Sequence, residues 1–305
     1  MLIYEQLYIT NSVEKLREKL KVKPWDIYLR NKFYKFFAAL SAFLGVAFLV
    51  IDLPKNVSLP HNMTMNGKCL AAIVLIIFLI ITYAFMWWRA NSSKEISIKV
   101  DATDVVIKEG DLFKENGLIA IGFNEYFDTI VDDRIIAKKS LNGLFINNIV
   151  ESSIEALDSF IESNIDNRQK LEVVNRARGN NQKYKIGTVC LYLDKYILTA
   201  FAKFNDRNEA RLTMPEYLEF LINFWDEVNS IYAARSVSVP IFGSGITRIK
   251  EHKNTTDEQL LKIMLWTFKI SEMKFTHPAR LTIVVHRDKM KAINLTSIEG
   301  LSNGL

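Results

Sequence analysis

The chain has few of the residues that build disulfide scaffolds, metal sites and nucleophilic triads. Among its 305 residues are two cysteines, Cys69 in an apolar run and Cys190 in a predicted core strand. So few cysteines exclude a disulfide framework and fit a reducing compartment. The sequence contains four histidines at scattered positions: His61, His252, His277 and His286. Neither metal-ligand spacing nor a Ser-His-Asp arrangement is present, so we expect no metal site and no catalytic residue of that kind.

Positive charge is concentrated at one end of the sequence. Residues 1–35 contain eight lysines and arginines against four acids, so 8 − 4 = +4 of the net charge of +5 lies there. The C-terminal two-thirds is near neutral and has no basic stripe or aromatic-basic platform. The basic pI of about 9.0 therefore gives no argument for nucleic-acid binding, and we expect no nucleic-acid partner.

Two long apolar runs set the chain apart from an ordinary soluble enzyme. Hydrophobic residues make up 49% of the sequence. The runs cover residues 36–53 and 69–88, and each is about as long as a bilayer-spanning helix. A pair of buried core helices is the alternative, but two nearly charge-free runs so close together favour insertion. We predict a two-helix transmembrane hairpin over residues 33–90.

The distribution of cations around these runs predicts an orientation. The loop between them, Pro54–Lys68, has two lysines, whereas residues 1–35 have eight cations and four more follow the second run. The positive-inside rule therefore places both termini in the cytoplasm. Residues 1–32 form an amphipathic segment, with a helix predicted to end before Pro24. The aromatic and basic residues after Pro24 are typical of a membrane interface.

From residue 94 onward, strand and helix patterns alternate, which predicts an α/β/α sandwich with a mixed central sheet. The predicted strands are Glu95–Val100, Asp104–Lys108, Leu118–Asn124, Lys185–Leu191, Tyr196–Phe204, Val237–Phe242 and Arg280–His286. The predicted helices are Ile149–Ile165, Pro215–Ala234, Thr256–Lys274 and Lys289–Ile298. The polar stretch Asp166–Tyr184 is predicted to be an exposed loop. We assign residues 94–305 to one cytoplasmic domain.

Polar residues follow the ends of several predicted strands, which is where open α/β sheets bind ligands. Asp111 could accept a hydrogen bond from an exocyclic amine such as that of adenine, or simply form a Gly-Asp turn. Asn124 could bond to ribose hydroxyls, and Tyr126 and Phe127 could stack on a ring. Asp128 could contact the ligand or cap the next element.

A third loop follows a buried strand and contains two glycines. Gly243 and Gly245 permit positive φ and close backbone approach. Successive N–H groups of such a loop form an anion-binding nest, and Ser244 and Thr247 add hydroxyls. This pattern indicates a phosphate-bearing ligand.

Together these loops resemble the macro domain, the ADP-ribose-binding fold, over about residues 96–300. The matching features are Gly110-Asp111-Leu112, the strand ending at Asn124, and the stretch from Pro240 to Ile246. Residues 124–129, 140–147 and 184–189 further resemble a bacterial subgroup in which two transmembrane helices precede a macro domain. This subgroup includes the membrane effector subunit of Thoeris anti-phage systems.

The resemblance implies a binding role for each loop. Asp111 would lie at the adenine, the loop from Asn124 to Thr129 at the distal ribose, and the loop from Phe242 to Thr247 at the diphosphate. The full set of candidate ligand-binding residues is Asp111, Leu112, Asn124, Glu125, Tyr126, Phe127, Asp128, Thr129, Ser140, Leu141, Asn142, Gly143, Phe242, Gly243, Ser244, Gly245, Ile246 and Thr247.

The resemblance also implies a function. The ligand would be an ADP-ribose derivative made from NAD by a TIR-domain partner, and no other cofactor is expected. Its binding would drive a homo-oligomer of the effector to disrupt the bacterial inner membrane. Hydrolytic macro domains usually have a Gly-rich run after the Asn, whereas bulky residues 125–128 stand here, so we expect a receptor rather than an enzyme. A membrane-bound ADP-ribosyl hydrolase and an anchor with a vestigial pocket are the alternatives.

Overall fold

A computed structural model describes residues 21–50, 57–59, 63–204, 209–245, 248–249, 255–271, 275 and 279–302. The described residues fall into two compact units. The first unit lies within residues 1–93 and 294–301, and the second lies within residues 94–293 and 302–305. The domain limits predicted from the sequence stay a prediction, and the amphipathic residues 1–20 lie outside the described part of the chain.

The first unit consists mainly of helices. Its elements are α1 (Ile27–Val50), β1 (Val57–Leu59), β2 (Met63–Met65), α2 (Gly67–Ser92) and the C-terminal helix α8 (Leu295–Ser302). β1 and β2 pair antiparallel between the two long helices. Asn66 begins α2, because its side chain accepts a hydrogen bond from the Lys68 N–H at 2.9 Å and so satisfies a free donor of the first turn.

One helix among the described residues, α2, is long and apolar enough to cross a membrane. None of its most apolar stretch is buried. The prediction of a two-helix transmembrane hairpin is therefore not confirmed, since α1 does not meet the same test over its described residues. α1 covers the first predicted span up to Val50, and residues 51–53 of that span lie outside the described residues.

The second unit is built on a mixed nine-stranded sheet. Eight strands lie in the order β12-β10-β9-β5-β11-β13-β4-β3, and β8 pairs with β9. Their bounds are β3 Glu95–Val100, β4 Thr103–Glu109, β5 Leu118–Asn124, β8 Val189–Tyr192, β9 Tyr196–Phe204, β10 Ala210–Leu212, β11 Val237–Pro240, β12 Arg248–Ile249 and β13 Leu281–Val285. The pairs along the run β9-β5-β11-β13-β4 are all parallel. β3 and β8 are antiparallel to their neighbours, and β10 is antiparallel to β9 but parallel to β12. The predicted α/β architecture with a mixed central sheet is confirmed.

Helices lie on both faces of this sheet. Their bounds are α3 Leu141–Asn148, α4 Ile154–Asn164, α5 Met214–Ile231, α6 Asp257–Ile270 and α7 Arg287–Met290. On β9, the Tyr196 ring contacts Phe145 of α3, and the Phe201 ring contacts Phe220 of α5. Residues 196 and 201 are an odd number of positions apart on a strand, so they point to opposite faces. α3 and α5 therefore cover opposite faces, as in a three-layer sandwich.

Several predicted elements differ from the structure. The helix predicted over Lys289–Ile298 is interrupted, since residues 291–294 separate α7 from α8. The helix predicted over Ile149–Ile165 begins later, because Ser153 caps a new helix through the Ala156 N–H at 3.2 Å. The stretch predicted as an exposed loop over Asp166–Tyr184 instead contains an antiparallel hairpin. Its strands are β6 (Lys170–Val173) and β7 (Gln182–Tyr184).

Candidate functional site

The three loops singled out in the sequence leave the sheet at one edge. They follow β4, β5 and β11, which run parallel within one sheet. β4 and β5 are separated by β13 and β11, hence by three strand spacings, or about 14 Å. Because carboxyl ends of parallel strands meet at the same edge, these loops can line one elongated cleft.

The loop after β4 is a capped turn with an accessible carboxylate. The Gly110 N–H donates to the Val285 carbonyl at 3.0 Å, which ties the loop to the end of β13. The Asp111 carboxylate accepts from the Phe113 N–H at 3.1 Å and caps the short 3-10 helix that follows. About half of the Asp111 side chain is exposed, so it keeps acceptor capacity for a ligand while it forms the turn.

Asn124 shapes the loop after β5 through its own side chain. Its Oδ1 accepts from the N–H groups of Tyr126 (3.0 Å) and Asp128 (3.2 Å), and its Nδ2 donates to Asp128 Oδ2 at 2.9 Å. Both Asn124 and Asp128 are buried. Asn124 is therefore occupied in holding this turn, and its predicted contact with a ribose stays a prediction.

Phe127 adopts a backbone conformation that usually requires glycine. Its φ is +49°, in the left-handed region that is strained for a bulky residue. The ring has no exposed surface and packs against Phe123 (centroids 5.7 Å apart) and Tyr184 (5.2 Å). Burial of this ring offsets the strain, which explains how a bulky loop replaces a Gly-rich one. In this structure Phe127 belongs to the core and presents no ring face to a ligand.

Arg176 is the main residue that sequence reasoning missed. Its two terminal nitrogens donate to the two carboxylate oxygens of Asp128, each at 2.9 Å. Its guanidinium carbon also lies 3.9 Å from the centroid of the Tyr126 ring. Only 10% of the Arg176 side chain is exposed. The loop between β6 and β7 is thus anchored onto the candidate site, which corrects the prediction of an exposed loop.

Two neighbours of Arg176 complete this contact. The Asn180 N–H donates to Asp128 Oδ1 at 2.6 Å, and its side chain donates to the Phe127 carbonyl at 3.1 Å. Gly179 has a φ of +90°, and a Cβ at this position would lie 2.4 Å from Asp128 Oδ1. Glycine is therefore required for the loop to approach Asp128 so closely.

Two further carboxylates lie at the Asn124–Thr129 loop, the half-buried Asp158 and the buried Glu125. Asp158 Oδ1 accepts from the Thr129 hydroxyl at 2.9 Å and from Asn180 Nδ2 at 3.1 Å, and burial raises the pKa of the Asp158 carboxyl. Glu125 accepts from the Phe204 N–H at 3.1 Å and lies 3.6 Å from Lys183 Nζ. Burial likewise raises the pKa of Glu125 above its ordinary value.

The next candidate stretch begins α3. The Ser140 hydroxyl caps this helix by accepting from the Gly143 N–H at 3.0 Å. A Cβ at Gly143 would lie 2.3 Å from the Ala137 carbonyl oxygen, so the backbone requires glycine here. Asn142 is 7% exposed, and its Oδ1 has no hydrogen-bond partner within the described part of the chain. This acceptor is the one unoccupied amide oxygen among the candidate residues that the structure describes.

The glycine loop after β11 is held by a hydrogen bond at Phe242 and is exposed at Gly245. Phe242 is buried, and its carbonyl accepts from the Tyr217 hydroxyl at 2.9 Å. Gly243 has a φ of +84°. Gly245 is exposed, and a Cβ there would meet no atom of the described residues within 4 Å. The predicted residues Ile246 and Thr247 lie outside the described residues.

The described histidine near this edge has a structural role. His286 is exposed, and its Nδ1 accepts from the Asp288 N–H at 3.4 Å at the start of α7. Within the described ranges, no group of three or more His, Cys, Asp or Glu could hold a metal ion.

Comparison with known proteins identifies the family that this chain matches. The family described as "Thoeris protein ThsA, Macro domain" matches residues 105–286, which span the candidate loops. The curated Thoeris protein ThsA of Bacillus amyloliquefaciens (strain Y2) is 36% identical over 269 residues, covering 84% of this chain and 89% of the relative. A mutant Oceanobacillus iheyensis macrodomain is 14% identical with a TM-score of 0.47, covering 70% of this chain and 100% of that one. The Oceanobacillus iheyensis macrodomain with ADP is 13% identical with a TM-score of 0.45, over 69% and 98% of the two chains.

Proposed function

Because the chain belongs to the Thoeris ThsA family and carries its macro domain, we propose that it is a receptor for an ADP-ribose-type nucleotide. The observation that carries this proposal is the convergence of three loops at one sheet edge within the matched segment. Asp111, with its half-exposed carboxylate, would bond the adenine amine, and the loop that ends in the exposed Gly245 would hold the diphosphate. The distal ribose would then lie toward the Asn124–Thr129 loop.

A receptor fits the chemistry of this cleft better than a hydrolase does. Asn124 and Asp128 bond to each other, and Arg176 occupies both oxygens of Asp128. The Asp128 carboxylate is therefore engaged by Arg176 and is not available to activate a water molecule. The Glu125–Asp128 stretch also contains none of the glycines that would let a backbone approach the ribose closely.

We propose that the protein acts on the membrane once the nucleotide is bound. α2 is an apolar helix whose most apolar stretch is not buried, and a surface of that kind is stable in a bilayer. We propose that α1 provides a second span, that both termini lie in the cytoplasm, and that the protein resides in the bacterial inner membrane. A nucleotide made from NAD by a TIR-domain partner would drive identical subunits to assemble and disrupt the bilayer. This link to a TIR protein is functional and requires no contact between the two chains.

Incubation of the full-length protein with ADP-ribose tests the receptor assignment. We expect saturable binding and recovery of the nucleotide intact, with chromatography and mass spectrometry as the readouts. Release of a cleaved product at a rate set by the protein would favour the hydrolase. No binding at high concentration would favour an anchor with a vestigial pocket.

A further inference from the structure

The short segment that precedes α1 is hydrogen-bonded to the last turns of α2. The Val22 N–H donates to Asn91 Oδ1 at 3.0 Å, and Trp87 Nε1 donates to the Val22 carbonyl at 2.9 Å. The Tyr83 hydroxyl donates to the Pro24 carbonyl. These bonds place the beginning of α1 beside the last turns of α2, so the two helices run antiparallel and share this end.

The cations of this unit gather at that shared end. Seven lysines and arginines lie among its described residues, and only Lys68 is at the opposite end, in the first turn of α2. The other six are Lys21, Lys23, Arg30, Lys32, Lys35 and Arg89. The described acids of the unit are Asp26 and Glu299. The described residues at the shared end therefore have a net charge of 6 − 2 = +4.

Four of these cations, Lys23, Arg30, Lys35 and Arg89, are exposed and form no ion pair with a described residue. Lys32, in contrast, pairs with Glu299 at 2.8 Å. A group of like charges without counter-charges favours an anionic partner that comes from outside the chain.

Large aromatic side chains lie exposed among the same cations. Trp25 is 80% exposed, Trp88 62% and Tyr34 55%. Trp25 precedes α1, and Trp88 is next to Arg89 in the last turns of α2. Tyr34 follows Arg30 by four residues, so the two side chains lie on the same face of α1. Rings with an apolar body and a polar edge are characteristic of the headgroup level of a bilayer.

We propose that this surface, formed by Lys23, Arg30, Lys35 and Arg89 with the exposed rings, binds the headgroups of anionic phospholipids. The inference rests on the membrane insertion proposed above and adds a lipid class to it. A guanidinium bonds two phosphate oxygens at once, and the lysines add charge while their stems lie along the apolar acyl region. A zwitterionic headgroup carries its own cation, so it gains much less from this surface.

Native mass spectrometry of the full chain from a membrane of equal parts phosphatidylcholine and phosphatidylglycerol tests the proposal. We expect the retained lipid to be enriched severalfold in phosphatidylglycerol. The test variant combines Arg30→Gln, Lys35→Gln and Arg89→Gln, and we expect each lost cation to weaken the preference about fivefold. The matched control combines Lys99→Gln, Arg134→Gln and Lys139→Gln, three exposed cations of the second unit. It changes the net charge equally and should keep the enrichment.

The outcomes separate this inference from the function on which it rests. Equal retention of both lipids by the native chain, or undiminished enrichment in the test variant, overturns the headgroup surface while the membrane anchor stands. Loss of enrichment in the control variant shows that net charge alone sets the preference, which also overturns it. A native chain that does not float with the membrane fraction overturns both proposals.

Discussion

The guanidinium of Arg176 and the carboxylate of Asp128 form a bidentate ion pair that is almost completely buried. Both of its N–O distances are 2.9 Å. The two residues lie 48 positions apart in the sequence. Their contact joins the loop between β6 and β7 to the Asn124–Thr129 loop. Since Asp128 also bonds Asn124 and Asn180, this pair fixes the shape of the candidate cleft at its proposed ribose end.

Removal of Arg176 should destabilise the second unit strongly. Arg176→Ala leaves the Asp128 carboxylate buried without its cation, and breaking such a pair costs about 3–5 kcal/mol. We expect this loss in chemical denaturation of the full chain, followed by the fluorescence of the buried Trp225. The control Arg168→Ala removes an exposed pair with Asp166 and should change stability little. A small effect of Arg176→Ala would show that the pair does not fix this loop.

The two glycines of the loop after β11 should respond differently to alanine. Gly243→Ala forces a side chain into a left-handed conformation and should cost about 1–2 kcal/mol. Gly245→Ala meets open space, so its free energy of unfolding should stay within about 0.5 kcal/mol of the native value. Both are measured by the same denaturation assay. Equal losses in the two variants would contradict the local geometry described for this loop.

Glu125 should make the stability of the protein depend on pH. Burial raises the pKa of its carboxyl, so the folded state binds the proton more tightly than the unfolded state. Its contribution is fully present below the ordinary pKa and is lost as the pH rises through the raised value. Stability of the native chain relative to Glu125→Gln should therefore fall as the pH rises from about 4 through the raised pKa of Glu125. The exposed Glu151→Gln serves as the control, and parallel curves for the native chain and Glu125→Gln would refute the effect.

Much of the fold could be predicted because its strands have clear local patterns. β3, β5 and β9 have the bounds expected from their runs of β-branched and apolar residues. The strand expected from Lys185 begins only at Val189, since Gly187 takes a φ of +92° and breaks the extended backbone. Predictions from local sequence use only neighbouring residues, so they rarely detect a single residue with positive φ inside an apolar run.

The candidate site was only partly predictable for a related reason. Strand ends and glycines indicated the loops at Asp111 and Gly243 correctly as turns at one sheet edge. Nothing near Arg176 in the sequence indicates that it pairs with Asp128, because that contact depends on how the hairpin folds back. Asp128 is buried and also bonds to its neighbour Asn124, so its own surroundings in the sequence gave no signal that a distant cation was needed.

Calorimetric titration of ADP-ribose into the full-length protein tests the central claim most directly, with three forms compared. Gly245→Glu places a carboxylate at the proposed diphosphate position, whereas Gly245→Gln adds a neutral side chain of nearly the same size. Since a Cβ at residue 245 meets nothing within 4 Å, both variants should fold as the native chain does. We expect saturable binding by the native protein, retained at least in part by Gly245→Gln and abolished in Gly245→Glu through charge repulsion. No binding by the native protein, or equal affinity in the native and Gly245→Glu forms, would contradict the assignment of this loop to a diphosphate.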